Sequence, residues 1–119
     1  MYLILFILND PDKLEELLIA WEENGVESAT VLFSTGMGRI RQLKGWRDDM
    51  PLIPSLNDFY EKPENLNRTI FTTVNDEAGI EKVLRATKKV VGDLDEMETG
   101  LLLVMPITQA YGMDKRKAI

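Results

Sequence analysis

The hydrophobic positions of the chain follow two periodicities that alternate along its first third. Tyr2–Leu8 is an uninterrupted apolar run of the length typical of a buried strand. It is followed by apolar residues spaced three and four apart, a spacing that places them on one face of a helix. These residues are Leu14, Leu17, Leu18 and Trp21. Residues 26–35 then return to a β-rich composition, so the pattern predicts a strand, a helix and a second strand.

A second region repeats this order. Residues 68–74 are β-rich and residues 101–105 form a continuous apolar run, so both are predicted to be strands. Between them lies a second stripe with helical spacing. The stripe consists of Ile80, Val83, Leu84, Thr87 and Val91. The pattern therefore indicates two successive units, each with a strand, a helix and a strand.

Both predicted helices carry the same start and stop signals. Asp10 and Asp76 each follow an asparagine and can cap the free N–H groups of a helix, and Pro11 suits a first helical position. The two Asn-Asp pairs lie 66 positions apart. Gly25 and Gly92, which can adopt the left-handed conformation that commonly ends a helix, lie 67 positions apart. The halves thus match in length as well as in order.

This order predicts a single α+β domain over residues 1–119. The βαββαβ arrangement is that of the ferredoxin-like sandwich, a four-stranded antiparallel sheet with both helices on one face. The first and last predicted strands are apolar on both sides, whereas a sheet with one wet face alternates apolar and polar residues. The second face must therefore be covered, and association of subunits is the simplest cover. The alternative is that the long segment between the second and third strands folds back over the sheet.

That long segment, residues 36–67, far exceeds the roughly two to five residues of an ordinary hairpin connection. Its first twelve residues, 36–47, carry four cations and no acid. Glycines at positions 36 and 38 let the backbone approach a ligand, and Arg and Lys add charge-assisted hydrogen bonds to phosphate or carboxylate oxygens. The sequence therefore predicts an anion site, which matches neither a P-loop nor a dinucleotide fingerprint. The alternative is a glycine turn whose cations keep the loop solvated.

The amino-acid composition excludes several kinds of metal site and catalytic site. The chain has no Cys and no His, which excludes zinc, haem and iron–sulfur ligation, a cysteine nucleophile and a Ser-His-Asp triad. No nucleophile is paired with a base, so we assign no catalytic residue and expect the protein not to be an enzyme. The net charge of −6 argues against general nucleic-acid binding. Subtracting the four loop cations leaves −10 on the other residues, so this acidity does not exclude an anionic ligand.

The pattern contains no convincing membrane or export signal. Tyr2–Leu8 has seven residues, against the ~20 that a helix needs to span a bilayer. It also lacks a cationic start and a cleavage site. We therefore expect no membrane insertion and a cytoplasmic location.

In its element order and its long insertion the chain resembles the PII signalling protein and CutA superfamily, and it is closer to the PII side. The most specific local match is to the PII motif Gly-aromatic-Gly-Arg-Gln-Lys-Gly. It appears here as Gly36-Met37-Gly38-Arg39, with Gln42 and Lys44-Gly45 after extra residues. The resemblance implies a homotrimer whose subunit clefts hold adenine-nucleotide phosphates. It also makes the insertion the counterpart of the PII T-loop.

The resemblance further implies roles for individual residues. Five residues of the insertion would cradle the anion or hydrogen-bond to it: Gly36, Gly38, Arg39, Gln42 and Lys44. The C-terminal segment of PII proteins approaches the same cleft, which implies that Lys115 and Arg116 complete the site. Other insertion residues would face a partner protein, a transporter or an enzyme. These are Arg41, Trp46 and Arg47.

One PII segment is replaced in this chain. PII proteins carry Thr-Gly-x-x-Gly-Asp-Gly-Lys between the second helix and the fourth strand. Here residues 91–100 take that place, and only Gly92-Asp93 is comparable. Four acids within residues 93–98 would line a triphosphate poorly, so the departure favours a smaller nucleotide or another anion. The residues identify no cofactor, and the resemblance implies an adenine nucleotide as one candidate ligand.

Two other interpretations stay open. A CutA-like trimer would share the body of the protein and serve cation tolerance or a structural role. An enzyme of the dimeric α+β barrel type would pack two sheets face to face around a substrate pocket. The oligomeric mass separates the dimer from the trimers.

Overall fold

The computed structural model describes residues 1–37 and 66–113. These residues form an α+β fold with a four-stranded antiparallel sheet and two α-helices, as the hydrophobic pattern predicts. In chain order the elements are β1 (Tyr2–Leu8), α1 (Leu14–Glu23), β2 (Thr30–Ser34), β3 (Asn67–Val74), α2 (Glu77–Val91) and β4 (Gly100–Pro106). Residues 38–65, which make up most of the predicted insertion, and residues 114–119 lie outside the described ranges.

The strands lie in the order β2-β3-β1-β4, and each neighbouring pair is antiparallel. Strands β1 and β3 occupy the centre of the sheet, and β2 and β4 form its edges. Leu5 of β1 lies opposite Phe71 of β3 on one side and opposite Leu103 of β4 on the other. This arrangement is compatible with a ferredoxin-like fold.

The predicted cap of α2 is confirmed, whereas Asp10 caps the 3₁₀ turn that leads into α1, and α1 itself has no side-chain cap. The Asp10 carboxylate accepts a hydrogen bond from the backbone N–H two residues later at 3.0 Å, and Asp76 accepts one from the N–H three residues later at 2.9 Å. Pro11 opens a 3₁₀ turn, so α1 itself begins three residues further on, at Leu14. Gly92 follows α2 with a φ of 90°, a conformation that glycine adopts without a steric penalty.

Both helices pack against the same face of the sheet. Alternate residues of β1 point to that face and are buried, and the apolar stripes of α1 and α2 cover them. The buried core consists of Ile4, Phe6, Leu8, Leu17, Trp21, Val26, Ile70, Val83, Ala86 and Val91. The helical faces predicted from the spacing are therefore the faces that the fold buries.

The internal repeat has a structural counterpart in an approximate two-fold axis. Leu5 and Phe71, which the 66-residue offset makes equivalent, lie directly opposite each other in the β1–β3 pair. Trp21 and Thr87 are separated by the same 66 positions, and the Trp21 indole N–H donates to the Thr87 hydroxyl oxygen at 2.9 Å. Equivalent residues of a two-fold arrangement meet only near its axis. The axis therefore passes through the β1–β3 pair and between the helices, and the prediction of Trp21 as a core residue is confirmed.

The other face of the sheet, which we call the open face, is lined mainly by apolar side chains. They are Leu3, Leu5, Ile7, Leu32, Phe71, Leu101, Leu103 and Met105. The most accessible are on the edge strands, where Leu32 is 51% and Leu101 52% exposed. The apolar character predicted for both sides of β1 and β4 is thus present in the fold. The alternative cover for this face, the insertion, falls on residues outside the described ranges.

Strand β2 is shorter than the sequence pattern predicts. It begins at Thr30 rather than at Val26, and the four preceding residues are not paired with another strand. Val26 is buried in the core, and the Thr72 hydroxyl donates to the Ser28 carbonyl oxygen at 2.6 Å. The connection from α1 to β2 is therefore irregular but tied to the body of the protein.

Candidate ligand site at the base of the insertion

The described residues hold the two ends of the insertion side by side. Strand β2 ends at Ser34 and β3 begins at Asn67, and these two residues are paired across the sheet. The hydroxyl groups of Ser34 and Thr69 lie 2.6 Å apart and share a hydrogen bond. The insertion therefore starts and finishes at one end of the β2–β3 pair. We call this place, residues 33–37 and 66–68, the insertion base.

Gly36 is the one predicted anion-site residue within the described ranges, and its surroundings are open. It is exposed, its φ is not positive, and a Cβ atom built on it would have no atom of residues 1–37 or 66–113 within 4 Å. Neither its backbone conformation nor packing against these residues requires glycine at this position. By contrast, a Cβ atom on Gly100 would lie 2.5 Å from the Ile7 carbonyl oxygen, so packing requires glycine there. The open glycine leaves room for a ligand to approach the backbone.

Arg68 is a second feature of the insertion base, and the sequence pattern does not single it out. It is only 9% exposed, and its guanidinium carbon lies 4.2 Å from the ring centre of Phe33. One guanidinium nitrogen, Nη1, donates to the Leu66 carbonyl oxygen at 2.9 Å and makes a longer contact of 3.4 Å to that of Asn67. The negative face of an aromatic ring stabilises a cation placed over it. Arg68 therefore ties the end of the insertion to the strand that precedes its start.

Thr35 lies between β2 and Gly36. The residue is partly exposed, but its hydroxyl oxygen is buried and has no hydrogen-bond partner. Two other threonine hydroxyls of the sheet form hydrogen bonds, Thr69 with Ser34 and Thr72 with the Ser28 carbonyl oxygen. The insertion base therefore contains a buried polar group that the fold leaves unsatisfied.

The acidic turn between α2 and β4 lies at the same end of the sheet. One row across the four strands consists of Phe33, Arg68, Leu8 and Gly100. The acidic turn, residues 93–99, leads directly into this row. It is held by local hydrogen bonds, such as the one that the Asp95 N–H donates to the Asp93 carboxylate at 3.0 Å. Within residues 1–37 and 66–113 no group of three carboxylates is arranged to hold a metal ion.

The other predicted site residues lie outside the described ranges. They are Gly38, Arg39, Arg41, Gln42, Lys44, Trp46, Arg47, Lys115 and Arg116. The structure therefore gives only the points at which their segments join the body of the protein. The insertion joins at residues 37 and 66, and the C-terminal cations follow Met113.

Met113 lies at the opposite end of the sheet from the insertion base. It lines a cavity of about 670 Å³, which the sequence pattern does not predict, between the α1–β2 connection, the end of β3 and the first turns of α2. The eight residues of β3 separate the two ends by roughly 23 Å. The two or three residues from Met113 to Lys115 or Arg116 extend the chain by only about 7–11 Å.

Among the described residues of the insertion base, the backbone of Gly36 is exposed and can donate a hydrogen bond to a ligand, whereas the Arg68 guanidinium is buried and bonded to the Leu66 carbonyl oxygen. Donors of this kind suit a ligand with anionic or acceptor oxygens. Among the described residues, no hydrogen bond joins a nucleophile of the base to a general base. The part of the chain described also contains no helix long and apolar enough to cross a membrane.

Comparison with models of protein families and with curated proteins found no match.

Proposed function

We propose that this protein is a PII-like cytoplasmic regulator that binds a small anionic metabolite or nucleotide at the insertion base. The observation that carries the proposal is Gly36, a glycine that neither its backbone conformation nor packing against the described part of the chain requires. It opens a twelve-residue stretch with four cations and no acid. The βαββαβ order of elements and the strand order support a ferredoxin-like fold of the PII kind.

The proposed chemistry is recognition of anionic oxygens without a reaction. The backbone at Gly36 and Gly38 and the side chain of Arg39 cradle the anion, and Gln42 and Lys44 donate further hydrogen bonds. Arg68 contributes indirectly, because it fixes the end of the insertion against Phe33. No catalytic residue is assigned.

The C-terminal cations join this site from a second copy of the chain. Lys115 and Arg116 follow Met113, which lies at the far end of the sheet from Gly36. A chain that contributed both groups to one ligand would have to span that distance with two or three residues. A cleft between subunits removes the difficulty, because one subunit supplies the insertion base and its neighbour supplies the cations.

The open face supports association of the same kind. Its apolar residues lie on all four strands and include the half-exposed Leu32 and Leu101. We propose a homotrimer in which these faces are buried against one another, as in the PII superfamily. The acidic turn at residues 93–98 would then lie near the cleft, which favours a smaller anion than a nucleoside triphosphate.

Signalling requires that the ligand bind one state of the insertion more tightly than another. Arg41, Trp46 and Arg47 are the insertion residues that we propose contact the partner, a transporter or an enzyme. Because both ends of the insertion are tied to the sheet through Ser34 and Arg68, the proposed change is confined to the residues between them.

A second candidate function is favoured by the open face alone. A dimeric α+β barrel enzyme buries the same apolar rows by packing two sheets face to face around a substrate. A CutA-like structural trimer buries them without a ligand at the insertion base. The mass of the assembly distinguishes the dimeric enzyme from the two trimers. Binding of an anion at the insertion base distinguishes the PII-like trimer from the CutA-like trimer.

The direct test is calorimetric titration of the full chain with AMP, ADP, ATP and inorganic phosphate. We expect at least one to bind, and we expect Arg39→Ala to weaken its binding about tenfold or more, since a hydrogen bond to a charged group contributes roughly 1.5–3 kcal/mol. Arg85→Ala is the matched control, because Arg85 is an exposed cation on α2. If no anion binds, or if both variants bind like the wild type, the proposal is wrong.

A further inference from the structure

The outer face of the helix layer, which points away from the sheet, carries two rows of opposite charge. The rows are Glu16, Glu22 and Glu23 on α1 (the acidic row) and Lys82, Lys88 and Lys89 on α2 (the basic row). All six side chains are exposed, and in residues 1–37 and 66–113 none of them forms an ion pair. Contacts within the described fold therefore do not neutralise these charges.

The two rows occupy equivalent positions of the internal repeat. The offset of 66 positions makes Glu16 equivalent to Lys82, and it makes the other two acids equivalent to the other two lysines. Within α1 and the matching part of α2 one further equivalent pair is charged, and its members, Glu15 and Glu81, are alike. The approximate two-fold axis between the helices thus relates three acids to three lysines. A face of this kind is acidic on one half and basic on the other.

Such a face is complementary to a second copy of itself. If the two-fold axis between two copies runs parallel to the helices, α1 of each copy lies over α2 of the other, and each acidic row meets a basic row. If that axis runs across the helices instead, α1 lies over α1 and like charges meet. Like charges placed opposite each other disfavour binding, so the charge pattern selects the first arrangement.

We propose that the outer face of the helix layer is an interface with a second copy of the chain, in which the acidic row of each copy lies over the basic row of the other. This interface lies on the side of the sheet opposite the open face, and it depends neither on the anion site nor on the proposed trimer. Exposed ion pairs are individually weak and are screened by salt, so the association forms at high protein concentration and low ionic strength.

The test reverses one row at a time in the full chain. The acidic variant carries Lys82→Glu, Lys88→Glu and Lys89→Glu. The basic variant carries Glu16→Lys, Glu22→Lys and Glu23→Lys. The swapped variant carries all six substitutions and keeps the wild-type net charge of −6. Circular dichroism checks that each variant is folded.

Sedimentation equilibrium measures the mass of each variant over a range of protein concentrations. It is run at about 0.01 M and about 1 M salt, where the Debye length is roughly 30 Å and 3 Å. The matched control carries three Lys substitutions in the acidic turn, at Asp95, Glu96 and Glu98. These residues are exposed and belong to neither row, and their replacement changes the net charge by the same amount as the basic variant does.

At low salt we expect the wild-type mass to rise with protein concentration, and we expect this rise to disappear at high salt. The acidic and basic variants should each self-associate about tenfold more weakly or worse, because both of their helices then carry rows of one sign. An equimolar mixture of the two should associate like the wild type, since each acidic row again meets a basic row. The swapped variant should also associate like the wild type, and the control should associate at least as strongly.

Three results would overturn the inference. The first is a wild-type mass that shows no rise with protein concentration at low salt. The second is a folded swapped variant that associates as weakly as the variants with one reversed row. The third is equal association of the basic variant and the control. This last comparison needs no glutamate on α2, so it decides the matter even if the acidic and swapped variants fail to fold.

Discussion

Both faces of the sheet carry many apolar side chains, but only one face is covered by the described residues. Ile4 and Phe6 of β1 point toward the helices and have no exposed surface. Leu5, which lies between them in sequence, points to the open face and stays partly exposed. On β4 the open-face residues Leu101 and Leu103 are 52% and 43% exposed.

The described residues cover only one of these two faces. An antiparallel sheet with one wet face normally alternates apolar residues with polar ones on that face, and this open face carries leucines, an isoleucine and a phenylalanine beside threonines and a serine. The two helices supply one covering layer, and the open face lacks a second one in the part of the chain described. We therefore expect other copies of the chain to supply that layer, which is the basis of the proposed assembly.

The largest expected effect comes from the covered face. Ile4→Ala should lower the free energy of unfolding by about 2–5 kcal/mol, because it leaves a cavity among fully buried neighbours. Chemical denaturation at one fixed protein concentration measures this loss. The mass of the native assembly should stay unchanged, since Ile4 points away from the open face. A loss below about 1 kcal/mol would contradict the packing described for this face.

At the open face we expect a substitution to change the free energy of unfolding less than Ile4→Ala does, but to lower the mass of the assembly. Leu103→Glu places a carboxylate opposite Leu5, where burial against another copy would leave the charge unpaired. Light scattering should show the mass falling toward that of one chain. The matched control is Ile19→Glu, since Ile19 is 51% exposed on α1, away from the sheet. If both variants keep the wild-type mass, the open face is not the interface.

The smallest effect on stability is expected at the insertion base. Gly36→Ala should raise the free energy of unfolding by up to about 1 kcal/mol, because alanine restricts the unfolded chain and its Cβ atom meets nothing in the fold. Gly100→Ala should instead destabilise by roughly 2–5 kcal/mol, because its Cβ atom would clash with Ile7 and its φ of 150° disfavours a side chain.

Anion titration of the same two variants sharpens the comparison. Gly36→Ala should weaken binding, because a side chain enters the space that we assign to the ligand. Folded Gly100→Ala protein should keep its affinity. Unchanged affinity in Gly36→Ala would mean that the open glycine has no role in binding.

The fold could be predicted from the sequence where local signals and periodicity agree. The limits of β1, the Asp76 cap and the end of α2 at Gly92 follow from side-chain chemistry that acts within a few residues. The start of strand β2 could not be predicted in this way, because residues 26–29 have a β-rich composition but are not paired with another strand. One of their contacts, from Thr72 to Ser28, joins residues that are separated by 44 positions.

The candidate site could be predicted only in part. The glycines and cations of the insertion are close together in the sequence and predict an anion site. Gly36 has no described atom within 4 Å of the position of a Cβ atom. Arg68 has the sequence position of a buried residue, two before Ile70 in a strand of period two, but its charge argues for exposure. Its burial depends on Phe33 and on carbonyl groups that only the folded base brings near. The unsatisfied hydroxyl of Thr35 likewise has no signal in the sequence.

The account depends most on the claim that further copies of the chain cover the open face. Light scattering of the wild-type protein across a range of concentrations tests this claim without any variant or ligand. The proposed trimer predicts a mass of three times 13.6 kDa. A mass of one chain at every concentration would contradict the claim, and a mass of two chains would favour the face-to-face dimer over the PII-like assembly.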